Sequence, residues 1–160
     1  MIRAATAADA AQVCSIYNHY ISHTVVTFEE EPLAAETMAL RMERILASHP
    51  WLLWQAGGEI LGYCCADTWK VRSAYRHSVE STVYLRPDAV GRGIGSQLYE
   101  ALVRALRAQR VHAVIGGVAL PNPASVALHE KLGFRQIGLF REVGWKFDRW
   151  IDVGYWQLIL

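Results

Sequence analysis

Residues 83–96 read Val83-Tyr84-Leu85-Arg86-Pro87-Asp88-Ala89-Val90-Gly91-Arg92-Gly93-Ile94-Gly95-Ser96, with three glycines at alternate positions just before a helical pattern begins. Glycines so spaced let the backbone bend until several N–H groups converge at a helix start. Unpaired donors and the positive end of the helix dipole attract an anion there. The backbone donors of Gly91, Arg92, Gly93, Ile94, Gly95 and Ser96 suit phosphate oxygens, and the Arg92 guanidinium adds a charge beside them. The same spacing also suits a tight strand-to-helix connection that holds no ligand. Two familiar phosphate motifs do not fit. The pattern is G-x-G-x-G rather than the dinucleotide fingerprint, no carboxylate near position 112 could meet a ribose, and there is no Gly-Lys-Ser/Thr.

The other reactive side chains are scattered. His19, His23, His49, His77 and His112 have no paired metal-ligand spacing, so no metal is expected. Cys14, Cys64 and Cys65 lack such spacing too. The adjacent pair lies in an apolar run and reads as two faces of one strand, which predicts reduced, buried thiols. His129 stands alone on a helical stretch, either as a structural residue or as a proton-transfer group.

These residues need a scaffold, and the composition supplies one. The chain has 160 residues, 52% hydrophobic and 19% charged, which excludes disorder and predicts one domain spanning 1–160 with a full core. Sixteen basic residues against fifteen acidic ones leave a net charge of +1, so neither nucleic acid nor a membrane is expected as a partner. No signal-like segment opens the sequence and no apolar run reaches eighteen residues, which predicts a cytoplasmic setting.

Met1 to Ala5 suits an opening strand. Thr6 and Asp9 form a variant capping box before a helix on Val13, Ile16, Tyr17, Tyr20 and Ile21 that runs to His23. Val25 to Phe28 is a short strand or an extended loop, and Glu36 to Ala47 is helical. Trp51 to Ala56, the Gly57-Gly58 turn and Ile60 to Trp69 form a hairpin. Ser78 to Leu85 is a strand stopped by Pro87. A helix on Leu98, Leu102, Val103 and Leu106 reaches about Gln109, and Ala113 to Ala119 is a buried strand. A short helix from Ala124 to Leu132 closes on Gly133, before strands at Arg135 to Phe147 and Trp150 to Leu160. The order β-α-α-β-β-β-α-β-α-β-β predicts an α/β domain on a mixed, largely antiparallel sheet with flanking helices.

Several segments together carry a resemblance. Val83 to Ser96, Leu120-Pro121-Asn122-Pro123-Ala124-Ser125 and Leu128-His129-Glu130-Lys131-Leu132-Gly133-Phe134 resemble the acetyl-CoA-binding core of the GNAT N-acetyltransferases. Trp69 to Tyr75, Val79 to Tyr84, Gly144 to Phe147 and Trp150 to Gln157 resemble the phosphinothricin and methionine sulfoximine (methionine sulfone) acetyltransferase branch. The resemblance covers nearly the whole chain. Val90 departs from it, standing where the family loop usually carries Gln or Arg, but the loop's backbone donors remain.

The resemblance implies acetyl-CoA as co-substrate and a small amino-acid-like amine as acceptor, with direct attack in a ternary complex and a homodimer. It makes Glu80 the general base, in a setting that raises its pKa. A backbone N–H near Tyr84 or Leu85 would meet the oxyanion, and the backbone of Val83 and Leu85 would pair with the pantetheine amides as an added strand. Asn122 and Ser125 would hydrogen-bond the pantetheine arm, cap the following helix, or both. His129 would protonate the thiolate or assist proton removal, if it is not structural. On the acceptor side, Arg72 would clamp a carboxylate, with Lys70 and Val71 beside it and Tyr75 as an aromatic wall. Ser81 and Thr82 flank Glu80 in the same pocket, and Phe28 and Glu29 occupy a loop that borders it. Trp145, Trp150 and Trp156 read as core or interface residues. Two rival functions remain at this level: acetylation of protein N-termini or polyamines, and a non-catalytic CoA-binding module.

Overall fold

Alternation along Ser78–Leu85 decides how the domain is layered. Odd and even side chains of this strand point to opposite faces of the sheet, and both faces are covered. The computed structural model describes residues 1–160. In chain order its elements are β1 (Ile2–Ala4), α1 (Ala10–His23), α2 (Ala35–Leu46), β2 (Trp51–Ala56), β3 (Glu59–Thr68) and β4 (Ser78–Leu85), then α3 (Ile94–Ala108), β5 (Ala113–Leu120), α4 (Pro123–Lys131), β6 (Arg135–Lys146) and β7 (Arg149–Ile159). This is the predicted order. The open choice at Val25 to Phe28 resolves as an irregular connection between α1 and α2.

The seven strands form one sheet in the order β1-β2-β3-β4-β5-β7-β6. Every pairing is antiparallel except β4 with β5, the two strands joined by the α3 crossover. One core lies under α1 and α2, where Val13, Ile16, Ile21, Met38, Met42 and Ile45 meet Trp51, Leu53 and Tyr63. The other lies under α3, where Leu98, Tyr99, Leu102 and Leu106 meet Cys64, Val79, Val114 and Trp156. Asp9 fastens the first corner: its carboxylate accepts from the Thr6 N–H at 2.8 Å and from both Arg3 end nitrogens at 2.6 and 2.9 Å. Gly133 ends α4 with φ of +89°, as a C-terminal cap requires.

Candidate active site

The site begins where two strands separate. β4 and β5 are in register only from Ser78 with Ala113 to Glu80 with Ile115. Beyond that, Gly116 to Leu120 pair with β7 alone. On its other side β4 stays paired with β3 as far as Gly62 with Leu85. The Arg86 N–H donates to Leu61 O at 2.8 Å and the Trp69 N–H to Ser78 O at 3.4 Å, which fixes the phase of that ladder. Alternation then turns the backbone groups of Glu80, Thr82 and Tyr84 toward β3 and those of Ser81, Val83 and Leu85 toward the gap. The N–H groups of Val83 and Leu85 thus lie on an open strand edge. The Tyr84 N–H does not, and of the two expected oxyanion donors only Leu85 faces the gap. The Leu85 carbonyl accepts from the Tyr20 hydroxyl of α1 at 2.7 Å.

A cleft of about 410 Å³ continues from this edge, bordered by Val83, Leu85, Gly91, Gly93, Gly95 and Ser96 on one side and by Asn122 and Ser125 on the other. Gly91 and Gly93 take φ of +81° and +75°, which brings the chain into α3 with its first N–H groups facing outward. The Ile94 side chain is buried beneath them in the α3 core, while Arg92 is exposed outside the cleft wall. Val90 borders the cleft with its own side chain. Asn122 caps α4 by accepting the Ser125 N–H at 3.1 Å, so its amide N–H groups stay free. Lys131 donates to Ser96 Oγ at 3.4 Å, placing a second cation at the cradle that sequence reasoning did not single out. An open amide edge leading to a cradle of outward N–H groups fits a pantetheine arm followed by a pyrophosphate.

On the opposite face a second cleft, of about 340 Å³, is lined by Glu80, Thr82, Tyr84, Phe28 and Tyr155 among others. Glu80 therefore sits at the mouth of the gap and in the wall of this cleft. Burial raises its pKa first, the charge of Asp67 adds to that, and Lys70 opposes it. A carboxylate so placed takes a proton more readily than an exposed one. Phe28 is held from behind: a side chain at Gly144 would overlap its ring. Lys146, only 2% exposed, donates to the carbonyls of Thr27 and Glu29, both at 2.8 Å. Sequence reasoning missed Lys146, whose only signal was a charge inside an aromatic strand.

Other expected residues do not line this cleft. Ser81 points to the α3 face, where it is 4% exposed and hydrogen-bonds the Tyr99 hydroxyl. His129 is also 4% exposed and lies under β5, where a side chain at Gly116 would strike its ring. Its Nδ1 is 2.7 Å from Ser125 O, and a carbonyl only accepts, so Nδ1 carries the proton. Nε2 then accepts from the Tyr99 hydroxyl at 3.1 Å. Burial pushes the His129 pKa below its ordinary value, and Ser125 stands between the ring and the cofactor cleft. His129 and Ser81 thus close a buried polar chain through Tyr99, which sequence spacing did not reveal. Arg72, Val71 and Tyr75 lie on the exposed β3–β4 loop, and Lys70 lies over the Trp69 ring at 5.0 Å. Trp69 in turn meets Tyr155 edge to face at 5.9 Å, which joins the loop to the cleft.

A cofactor edge, an anion cradle and a half-buried carboxylate where two strands part define a CoA-dependent acyltransferase. The model of the acetyltransferase (GNAT) domain family matches residues 2–154, and the chain belongs to this family. It is 43% identical over 156 residues to the phosphinothricin N-acetyltransferase of Streptomyces viridochromogenes, covering 98% of this chain and 85% of that protein. It is 37% identical over 161 residues to the L-methionine sulfoximine/L-methionine sulfone acetyltransferase of Pseudomonas aeruginosa, covering 99% and 94%. A solved phosphinothricin acetyltransferase from Sinorhizobium meliloti in complex with acetyl-CoA superposes with a TM-score of 0.97 at 36% identity, covering 100% of this chain and 88% of that one. The chain is an N-acetyltransferase with acetyl-CoA as co-substrate, which sets aside the non-catalytic module.

The cradle makes a direct demand. A side chain at Gly93 would meet only Gln97 Nε2, at 4.0 Å, so the fold has room, but φ of +75° strains a β-branched residue. Gly93→Val should weaken acetyl-CoA binding by about tenfold or more, read by calorimetry on folded protein. An unchanged dissociation constant would remove the cradle from the cofactor site.

Proposed function

We propose that this enzyme acetylates the α-amino group of a small amino-acid analogue of the phosphinothricin, methionine sulfoximine or methionine sulfone type, by direct attack in a ternary complex. The observation that carries this reading is Glu80, which stands in the acceptor cleft at the residue where β4 leaves β5. Acetyl-CoA supplies an acetyl group activated as a thioester. Glu80 takes the proton from the acceptor's ammonium, directly or through water, and so frees the nitrogen lone pair. That nitrogen attacks the thioester carbon, and the Leu85 N–H on the open edge meets the negative charge that develops on its oxygen. The carbon–sulfur bond then breaks, and CoA leaves as a thiolate that takes its proton from solvent. Direct transfer is supported by the thiols. Cys14, Cys64 and Cys65 are all buried, and burial pushes the one nearest Glu80, Cys65, up to about 12, so it stays protonated.

Arg72 is exposed, and its loop adjoins the cleft through Trp69 and Tyr155. Its planar fork suits an acceptor carboxylate, and Tyr75 and Lys70 lie on the same loop. A second copy of the chain is the partner in this reading. β6 is one of the two edge strands of the sheet, and Ile137, Phe140, Val143 and Trp145 on it are 50–57% exposed, with Trp150 of β7 at 61%. The cytoplasm suits three free thiols and a chain in which no helix is long and apolar enough to cross a membrane.

The acceptor test compares methionine sulfone with its decarboxylated amine on wild type and on Arg72→Lys, which keeps the charge but loses the planar fork. The amino acid should lose roughly 30-fold or more in kcat/KM on the variant, while the amine is poor with both proteins. Equal losses for both substrates would contradict a carboxylate clamp. In the same assay Glu80→Gln should lower kcat by about 10²–10⁴-fold with acetyl-CoA affinity retained. A fall of less than about threefold would move the base elsewhere. Sedimentation equilibrium should give twice the chain mass, and a monomer alone at micromolar concentration would refute the pairing.

A further inference from the structure

The sheet sets a second carboxylate against Glu80. Asp67 of β3 is the register partner of Glu80 on β4, and both line a cavity of about 180 Å³ behind the acceptor cleft. Side chains directly opposite in an antiparallel pair lie about 5 Å apart, and like charges there repel. Asp67 is not free to turn away. Arg44 of α2 donates to its two oxygens at 3.1 and 2.7 Å, and the Thr68 N–H donates at 2.7 Å. Burial works against ionisation of Asp67, but these donors outweigh it and hold the carboxyl below its ordinary range. A fixed negative charge therefore faces the base.

We propose that Asp67, anchored by Arg44, is a positioning residue that sets how readily Glu80 takes the acceptor's proton. This rests on Glu80 being the base. The other groups around Glu80 do not duplicate the role. Arg41 of α2 is engaged by Glu29 at 2.7 and 3.1 Å. Tyr17 of α1, Cys65 of β3, Tyr84 of β4, Tyr155 of β7 and Tyr99 of α3 are all pushed above their ordinary values by burial, so they stay neutral. Lys70 opposes Asp67 from the exposed loop, and His49 lies beyond it, 3.4 Å from Thr68 Oγ1. Only Asp67 is both ionised and fixed opposite the base. Arg44 pairs with that charge and weakens it, so Glu80 feels Arg44 only through Asp67.

The test titrates the Glu80 carboxyl by ¹³C NMR in the free enzyme, alongside the acid limb of kcat/KM, for wild type, Asp67→Asn, Arg44→Gln and the double variant. Removing the Asp67 charge should move the Glu80 titration down by about half a pH unit or more. Arg44→Gln should move it up, and the double variant should follow Asp67→Asn because Arg44 acts only through Asp67. Asp67→Ser removes the same charge with a smaller side chain and serves if the asparagine variant does not fold. A Glu80 titration unmoved by loss of the Asp67 charge, or moved downward by Arg44→Gln, would overturn the proposal. Glu80→Gln separates the two readings. If it leaves the acid limb in place, Glu80 is not the base, while the NMR shifts still decide whether Asp67 governs its proton affinity.

Discussion

Everything in the site follows from β4 parting from β5 after Glu80. A parallel pair kept in register along its whole length would satisfy the backbone groups of Val83 and Leu85 inside the sheet and leave nothing for a ligand. Here the pairing ends at Glu80 with Ile115, and β5 turns its remaining length to β7. The opening costs unpaired backbone groups, and the fold keeps them at a cleft where an amide-bearing arm can complete them. Tyr20 takes one of them by donating to Leu85 O, which ties α1 to the edge.

Period-two alternation turns that single opening into two half-sites. From the same strand, Val83 and Leu85 face the α3 side and border the cofactor cleft, while Glu80, Thr82 and Tyr84 face the α1–α2 side and border the acceptor cleft. The two clefts thus open on opposite faces of the strand and meet at the gap, an arrangement that suits the direct transfer proposed above. The acceptor wall is held by polar anchors rather than by apolar burial alone. Lys146 grips two carbonyls of the α1–α2 connection, and the Tyr17 hydroxyl meets Thr27 Oγ1 at 2.7 Å.

The eleven-element order was legible in the sequence because each element carries its own signal. The Gly57-Gly58 turn, Pro87 and Gly133 punctuate it, and helical periods lie between them. The glycine loop was legible for the same local reason. Of Gly93 and Gly95, the two expected to need special conformations, only Gly93 takes positive φ, together with Gly91, while Gly95 lies inside α3. What stayed hidden depends on partners distant in sequence. The direction of Ser81 follows from the phase of a ladder with β3, and the burial of His129 follows from how α4 lies on β5. Neither can be read from the neighbours of Ser81 or His129 along the chain. Lys146 reaches carbonyls 117 and 119 residues earlier, and Asp67 meets Glu80 only once the β3–β4 register is set.

The central claim is that the edge opened beyond Glu80 is the strand to which the cofactor adds. Amide hydrogen exchange measured by NMR, residue by residue with and without saturating acetyl-CoA, tests it most directly. The Val83 and Leu85 amides should exchange quickly in the free enzyme and become protected on binding, while those of Thr82 and Tyr84 are protected in both states. Val83 and Leu85 amides already as protected as Tyr84 in the free enzyme, or unchanged by acetyl-CoA, would contradict it.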